Sequence, residues 1–139
     1  MTIVVDASLV TVLVSGDPRR SLADALIRGW IQRGEDLHAP ALLPFEVASA
    51  MTRLVGAGAF PRERFADAWQ MLVSLPISYH SMLPDGERVI AAALRLGRQS
   101  AYDAAYLVLA RALSAEVWTL DGHLARNATG LGYPVHLAE

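Results

Sequence analysis

Five short segments rich in β-forming and apolar residues, 2–6, 36–40, 76–81, 116–120 and 133–137, alternate along this chain with stretches of helical periodicity. That alternation constrains the fold more than any other feature. Strands separated by helices pair in parallel, and a parallel sheet needs cover on both faces. The pattern predicts a three-layer α/β/α domain over residues 1–139, with a central parallel sheet of about four to five strands. The length suits one domain with its own core, and no repeat, linker or low-complexity tract interrupts it.

The intervening segments read as helices. Residues 8–14 form a short one, closed by the SGDP turn. In 19–33, Leu22, Ala25, Leu26, Trp30 and Ile31 share a face, with Gly34 as the C-terminal cap. Pro44 suits a helix start, and Leu43, Val47, Ala50, Met51 and Leu54 then repeat at helical spacing. Residues 61–74 direct Phe65, Trp69 and Leu72 inward. Residues 85–97 end at Gly97, 101–115 form a strongly apolar helix, and GHLARNA forms a short one. Pro134 marks the last strand as an edge strand, because it has no N–H to donate. Trp30, Trp69 and Trp118 sit at apolar positions and read as core. His38, His80 and His136 are scattered without ligand spacing. Segments 8–14 and 61–74 carry an apolar surplus that suits either core or a partner groove.

Composition removes several chemistries. The chain has no cysteine, which excludes disulfides, thiolate nucleophiles and thiolate-bound zinc. All twelve basic residues are arginine, which excludes Schiff-base chemistry and a phosphate-loop lysine. The net charge of -2 does not advertise a nucleic-acid binder, so any basic surface must be local. With no membrane-length apolar run and no leader-like N-terminus, the expected location is the cytoplasm.

Four carboxylates stand out against this background. Asp6 ends the first strand and Asp121 follows the fourth. Glu46 and Asp103 fall in the first turns of two helices. Each has a bland reading: Asp6 and Asp121 as N-caps, Asp103 with Ser100 as a capping box, Glu46 as an anion favoured by the helix dipole. Together they point elsewhere. All four lie where strands end and helices begin, which is the edge where parallel sheets bind ligands. Apolar neighbours flank them, and clustered carboxylates repel one another unless a cation joins them. Hard oxygen donors select Mg²⁺ or Mn²⁺, ions that serve phosphoryl chemistry.

The chain resembles the PIN-domain ribonucleases, in particular the VapC-type toxins of type II toxin–antitoxin pairs. "IVVDASLV" is similar to the family's opening strand and first acid, "PFEVASAM" to the second-acid helix, and "SAYDAAYLVLA" to the third. "VWTLDGHL" is similar to its Thr-x-Asp segment. The resemblance implies an Mg²⁺- or Mn²⁺-dependent endoribonuclease in which a metal-activated water attacks RNA phosphodiesters. Asp6, Glu46, Asp103 and Asp121 would be the catalytic and metal-holding residues, with Ser8 and Thr119 in support. It further implies a VapB-type antitoxin partner, a homodimer, and a heterotetramer or larger assembly with the antitoxin. One departure is local: the family often has a basic residue directly after the last acid, where this chain has Gly122 and His123. Arg95, Arg98, His123, Arg126 and Asn127 are the candidate RNA contacts.

Two other classes compete. A catalytically inactive, PIN-like binding or regulatory module would keep the fold without the chemistry. A metal-dependent phosphatase of the haloacid-dehalogenase type also starts with a strand ending in Asp, but it needs a second Asp where this chain has Ser8, and a lysine that is absent.

Overall fold

The computed structural model describes residues 1–98 and 100–139. All five expected strands form. The chain runs β1 (Thr2–Val5), α1 (Ala7–Ser15), α2 (Arg20–Gln32), β2 (Asp36–Pro40), α3 (Leu43–Gly56), α4 (Phe65–Ser74), β3 (Ile77–His80), α5 (Gly86–Arg95), α6 (Tyr102–Leu113), β4 (Glu116–Thr119), α7 (Gly122–Gly130) and β5 (Val135–Leu137). The strands make one all-parallel sheet in the order β3-β2-β1-β4-β5. Ile3, Val4 and Val5 of the central strand are buried from both faces, as a covered parallel sheet requires.

The strand order decides where a ligand can bind. The chain moves outward from β1 through β2 to β3, then returns to the far side of β1 to lay down β4 and β5. The direction of winding reverses between β1 and β4. Successive right-handed crossovers therefore leave toward opposite faces there, opening a crevice beyond the strand ends. Asp6 follows β1 and Thr119 closes β4, so both stand at this reversal.

Helices α1 to α4 form one layer, with α1 touching α2, α3 and α4. On the other face α6 lies against β1, β2 and β4, with α5 outside it. Asn127 Nδ2 of α7 donates to the Leu96 carbonyl at 3.0 Å, which ties α7 to the end of α5. Residues Ala104 to Ala110 are all buried, because α6 is enclosed between α5 and the sheet. Gly34 and Gly97 have φ of 72° and 67°, the left-handed conformation that a glycine helix stop adopts without strain.

Several side-chain assignments differ from those expected. In α2 the buried residues are Ala23, Ile27 and Trp30; Leu22 and Leu26 are half-buried, while Ala25 and Ile31 face solvent. The inward stripe is turned by about one residue. The segment 61–74 begins as a short 3₁₀ turn at Arg62–Arg64, and α4 buries Ala68 and Leu72. Phe65 and Trp69, expected inward, are 54% and 38% exposed. They line a groove between α1, α3 and α4, so the apolar surplus of this helix is surface as well as core. Nor are the histidines all isolated. Parallel pairing of β2 with β3 brings His38 Nδ1 to 2.8 Å from His80 Nε2, and burial together with His80 pushes the His38 pKa below its ordinary value. His136 stacks on Trp118 and meets Glu116 at 3.4 Å.

Candidate active site

The apolar strand β1 delivers Asp6 to the start of α1, where its carboxylate is 6% exposed. A buried carboxylate needs donors, and three converge on Asp6 Oδ2. The Ser8 amide donates at 3.3 Å, the Ser8 hydroxyl at 2.6 Å and the Thr119 hydroxyl at 2.9 Å. Each hydroxyl in turn accepts a backbone N–H from the turn after β4: Leu120 N–H donates to Ser8 Oγ at 2.9 Å, and Asp121 N–H donates to Thr119 Oγ1 at 3.0 Å. These acceptances point both hydroxyl protons at Asp6. The ends of β1 and β4 are thereby joined through one carboxylate oxygen. Burial still prevails, and the Asp6 pKa is raised despite these hydrogen bonds.

Glu46 enters from α3. The buried Tyr106 hydroxyl donates to its Oε1 at 2.7 Å. Burial raises the Glu46 pKa, opposed by that hydrogen bond and reinforced by the charges of Asp6 and Asp103. Asp103 enters from α6, raised by burial and by the charges of Asp6 and Asp121, and lowered by Arg98. The four carboxylates therefore feel one another electrostatically at the β1–β4 reversal. Asp121 also caps α7, accepting from the His123 and Leu124 amides at 3.0 and 3.1 Å. Capping by Asp6 and Asp121 is thus part of what these residues do. The capping box is not: Ala101 is the N-cap of α6, and among the described residues Ser100 Oγ accepts only from the Tyr102 amide, at 3.4 Å.

The supporting residues separate into distinct surroundings. Arg98 turns into the carboxylate cluster, with Nη2 3.7 Å from Asp103 Oδ2. At that distance the attraction is Coulombic without a hydrogen bond. Its Nε and Nη2 are buried and have no acceptor among the described residues. Arg95 lies in a separate cleft. His123 is exposed, and Asn127 is held by its bond to Leu96. Arg126, one turn into α7, brings Nη1 to 3.1 Å from where a Cβ on Gly122 would stand. The helix start therefore presents a guanidinium beside the position that lacks a basic side chain of its own.

One residue escaped the sequence reading. Tyr106 reads as a core residue, yet it orients Glu46. The available signal was its position one turn beyond Asp103 on the same helical face. Arg98, expected as an RNA contact, stands beside Asp103.

The donor set can be tested against a divalent cation. Among the described residues, no three Asp, Glu or His side chains gather closely enough to cage an ion by themselves. The set is nonetheless all oxygen, partly buried and self-repelling, and a cation would relieve that repulsion. It suits an ion that keeps much of its water and takes one or two carboxylates directly, as Mg²⁺ does.

Comparison with known proteins addresses the family and the fold. The PIN domain sequence profile matches residues 3–130. A curated relative, Ribonuclease VapC3 of Pyrobaculum aerophilum, is 29% identical over 96% of this chain and 100% of its own. Two crystal structures share the fold. PAE2754 of Pyrobaculum aerophilum superposes with a TM-score of 0.68 at 21% identity, over 91% of this chain and 84% of that one. VapC20 of Mycobacterium tuberculosis, described as a toxin cleaving the sarcin–ricin loop, superposes with a TM-score of 0.65 at 20% identity, over 94% and 95%.

Proposed function

Since the chain belongs to the PIN domain family, we propose that it is a metal-dependent endoribonuclease and the toxin of a VapBC-type toxin–antitoxin pair. The observation that carries the proposal is Asp6, buried at the β1–β4 reversal and oriented by Ser8 and Thr119, within electrostatic reach of Glu46 and Asp103.

Asp6, Glu46, Asp103 and Asp121 would hold Mg²⁺ or Mn²⁺. When bound, such an ion neutralises charge on a phosphate and makes water a better nucleophile. The protein's own part is positioning. Ser8 and Thr119 hold the Asp6 carboxylate in one orientation, and Tyr106 does the same for Glu46. Close to Asp103, Arg98 has donors that find no acceptor among the described residues, which suits a guanidinium that engages an RNA phosphate when substrate arrives. Arg126 and the exposed His123 stand at the α7 start, where a neighbouring nucleotide would pass. The groove between α1, α3 and α4, about 810 Å³ and lined by Val47, Met51, Phe65 and Trp69, is the seat proposed for an apolar helix of the antitoxin.

One experiment tests the reading. Purified protein, freed of any partner, should cleave single-stranded RNA in Mg²⁺ or Mn²⁺, stop in EDTA, and resume when Mn²⁺ is returned in excess. Cleavage that persists in EDTA refutes the metal. Failure to cleave with either ion favours the inactive binding module, which the lack of a tight carboxylate trio among the described residues also favours.

A smaller effect is expected at Tyr106. Tyr106→Phe removes the only side-chain donor to Glu46 among the described residues and leaves a half-buried carboxylate less satisfied. Unfolding free energy should fall by about 1–2 kcal/mol, measured by urea denaturation without metal. In a Glu46→Gln background the loss should shrink, because the pair is coupled. Equal losses in both backgrounds would mean that the bond carries no stabilisation of its own.

A further inference from the structure

The α5–α6 hairpin carries a second concentration of charge, apart from the carboxylates. Arg88 and Arg95 of α5, Arg111 of α6, and Tyr133 ahead of β5 line a cleft of about 310 Å³. Among the described residues no carboxylate lines it; the remaining walls are three alanines and Val108. A chain of net charge -2 thus gathers three of its twelve arginines around one small concavity.

The three guanidiniums differ in how free they are. Arg95 enters no ion pair among the described residues. Arg111 stacks on Tyr133, with its guanidinium carbon 4.2 Å from the ring centroid. Stacking occupies the face of a guanidinium and leaves the N–H donors at its edge available. Arg88 gives one nitrogen to Asp85 at 3.1 Å, but the Arg88 side chain is largely exposed, so water screens the pair. The cleft therefore offers planar, fork-shaped donors above small apolar walls. Fork donors match phosphate oxygens in pairs, and apolar walls of this size accept a sugar ring. The cleft lies on the helix that carries Asp103, toward its other end. Asp103 and Arg111 begin and end the same helix, eight residues or about 12 Å apart along its axis, and Arg98 lies at the Asp103 end of the hairpin.

We propose that the cleft of Arg88, Arg95 and Arg111 binds the phosphodiester backbone of the RNA substrate, holding the strand along the α5–α6 hairpin at a distance from the carboxylates. This rests on the ribonuclease reading, because that reading supplies the RNA.

The test measures binding of a fluorescent single-stranded RNA by anisotropy, in the full chain carrying Asp6→Asn so that the RNA stays intact. Arg95→Ala and Arg111→Lys are introduced separately. Lysine keeps the charge beside Tyr133 and gives up the planar fork, and thermal melts confirm that both variants fold. Arg95→Ala should weaken binding about five- to tenfold and make the slope of log affinity against log salt shallower by about 0.7, the amount for one lost single-strand phosphate contact. Arg111→Lys should weaken binding and keep the slope. Arg28→Ala, which removes an arginine paired with Asp24 on α2, should change neither. Unchanged affinity and slope in Arg95→Ala, or equal losses in Arg28→Ala, would overturn the proposal. So would displacement of the RNA by polyglutamate as effective as by unlabelled RNA, which would make the cleft a surface for acidic protein. Binding is read without cleavage. A parent chain that never cuts RNA therefore fails the proposed function alone, while the affinity series still decides the cleft.

Discussion

Asp6→Asn is expected to cut RNA cleavage at least about a hundredfold, the scale on which removal of one preorganised electrostatic group acts, while the protein folds as well as its parent. The second half of that expectation is what makes the experiment clean. An asparagine oxygen can still accept from the Ser8 amide and from the Ser8 and Thr119 hydroxyls, so the junction of β1 with β4 survives. The charge itself contributes nothing to folding at neutral pH. Burial raises the Asp6 pKa in the folded state. A carboxyl raised in this way adds its stability in full below its unfolded value, and that contribution is lost as pH rises through the folded one. Replacing it with a neutral isostere should leave the melting temperature level or higher. Cleavage by the variant at the parent's rate sinks the proposed chemistry. A variant that unfolds instead identifies Asp6 as a structural cap, which the melting curve reports directly.

The largest loss of stability is expected from Leu107→Ala. Leu107 is fully buried on α6, one turn beyond Asp103, in the helix that lies on β1, β2 and β4. Truncation there removes apolar contact and leaves a cavity that a helix enclosed on two sides closes only in part. The expected cost is about 2–5 kcal/mol, a large share of the roughly 5–15 kcal/mol that holds such a domain together. The melting temperature should fall by roughly 6–20 °C. Because α6 carries Asp103 in its first turn, RNA cleavage measured well below the new midpoint should fall as well. A variant that melts within a few degrees of the parent would show that the sheet and α5 close over the gap.

How far the site could be read from the chain differs from one residue to the next. Asp6, Glu46, Asp103 and Asp121 were legible because each interrupts an apolar pattern at the end of a strand or the start of a helix. Ser8 and Thr119 were legible only by resemblance, and the structure supplies their physical reason, which is the orientation of Asp6 Oδ2. Tyr106 was hidden by its own chemistry. An aromatic ring on an apolar helix reads as core, and nothing nearby in sequence announces that its hydroxyl meets a residue 60 positions away. The face of α4 was misread for a related reason. Phe65, Ala68, Trp69 and Leu72 admit two overlapping stripes, and hydrophobicity favours the larger side chains, whereas the space beside α1 and α3 takes Ala68 and Leu72.

What the sequence determined by itself was local. Runs of β-forming residues, helical spacing and helix-stopping glycines are written over a few neighbouring positions, and they sufficed for a covered parallel sheet with acids along one edge. What only the tertiary structure decided was adjacency. Nothing in either strand alone dictates that β4 returns to lie beside β1, yet this order brings Thr119 to Asp6 across 113 residues and opens the crevice in which the carboxylates meet. The same holds for the Tyr106 hydroxyl beside Glu46 and for the arginines around Tyr133. Pairings of this kind depend on which elements pack together, and that choice is made by burial of the whole core.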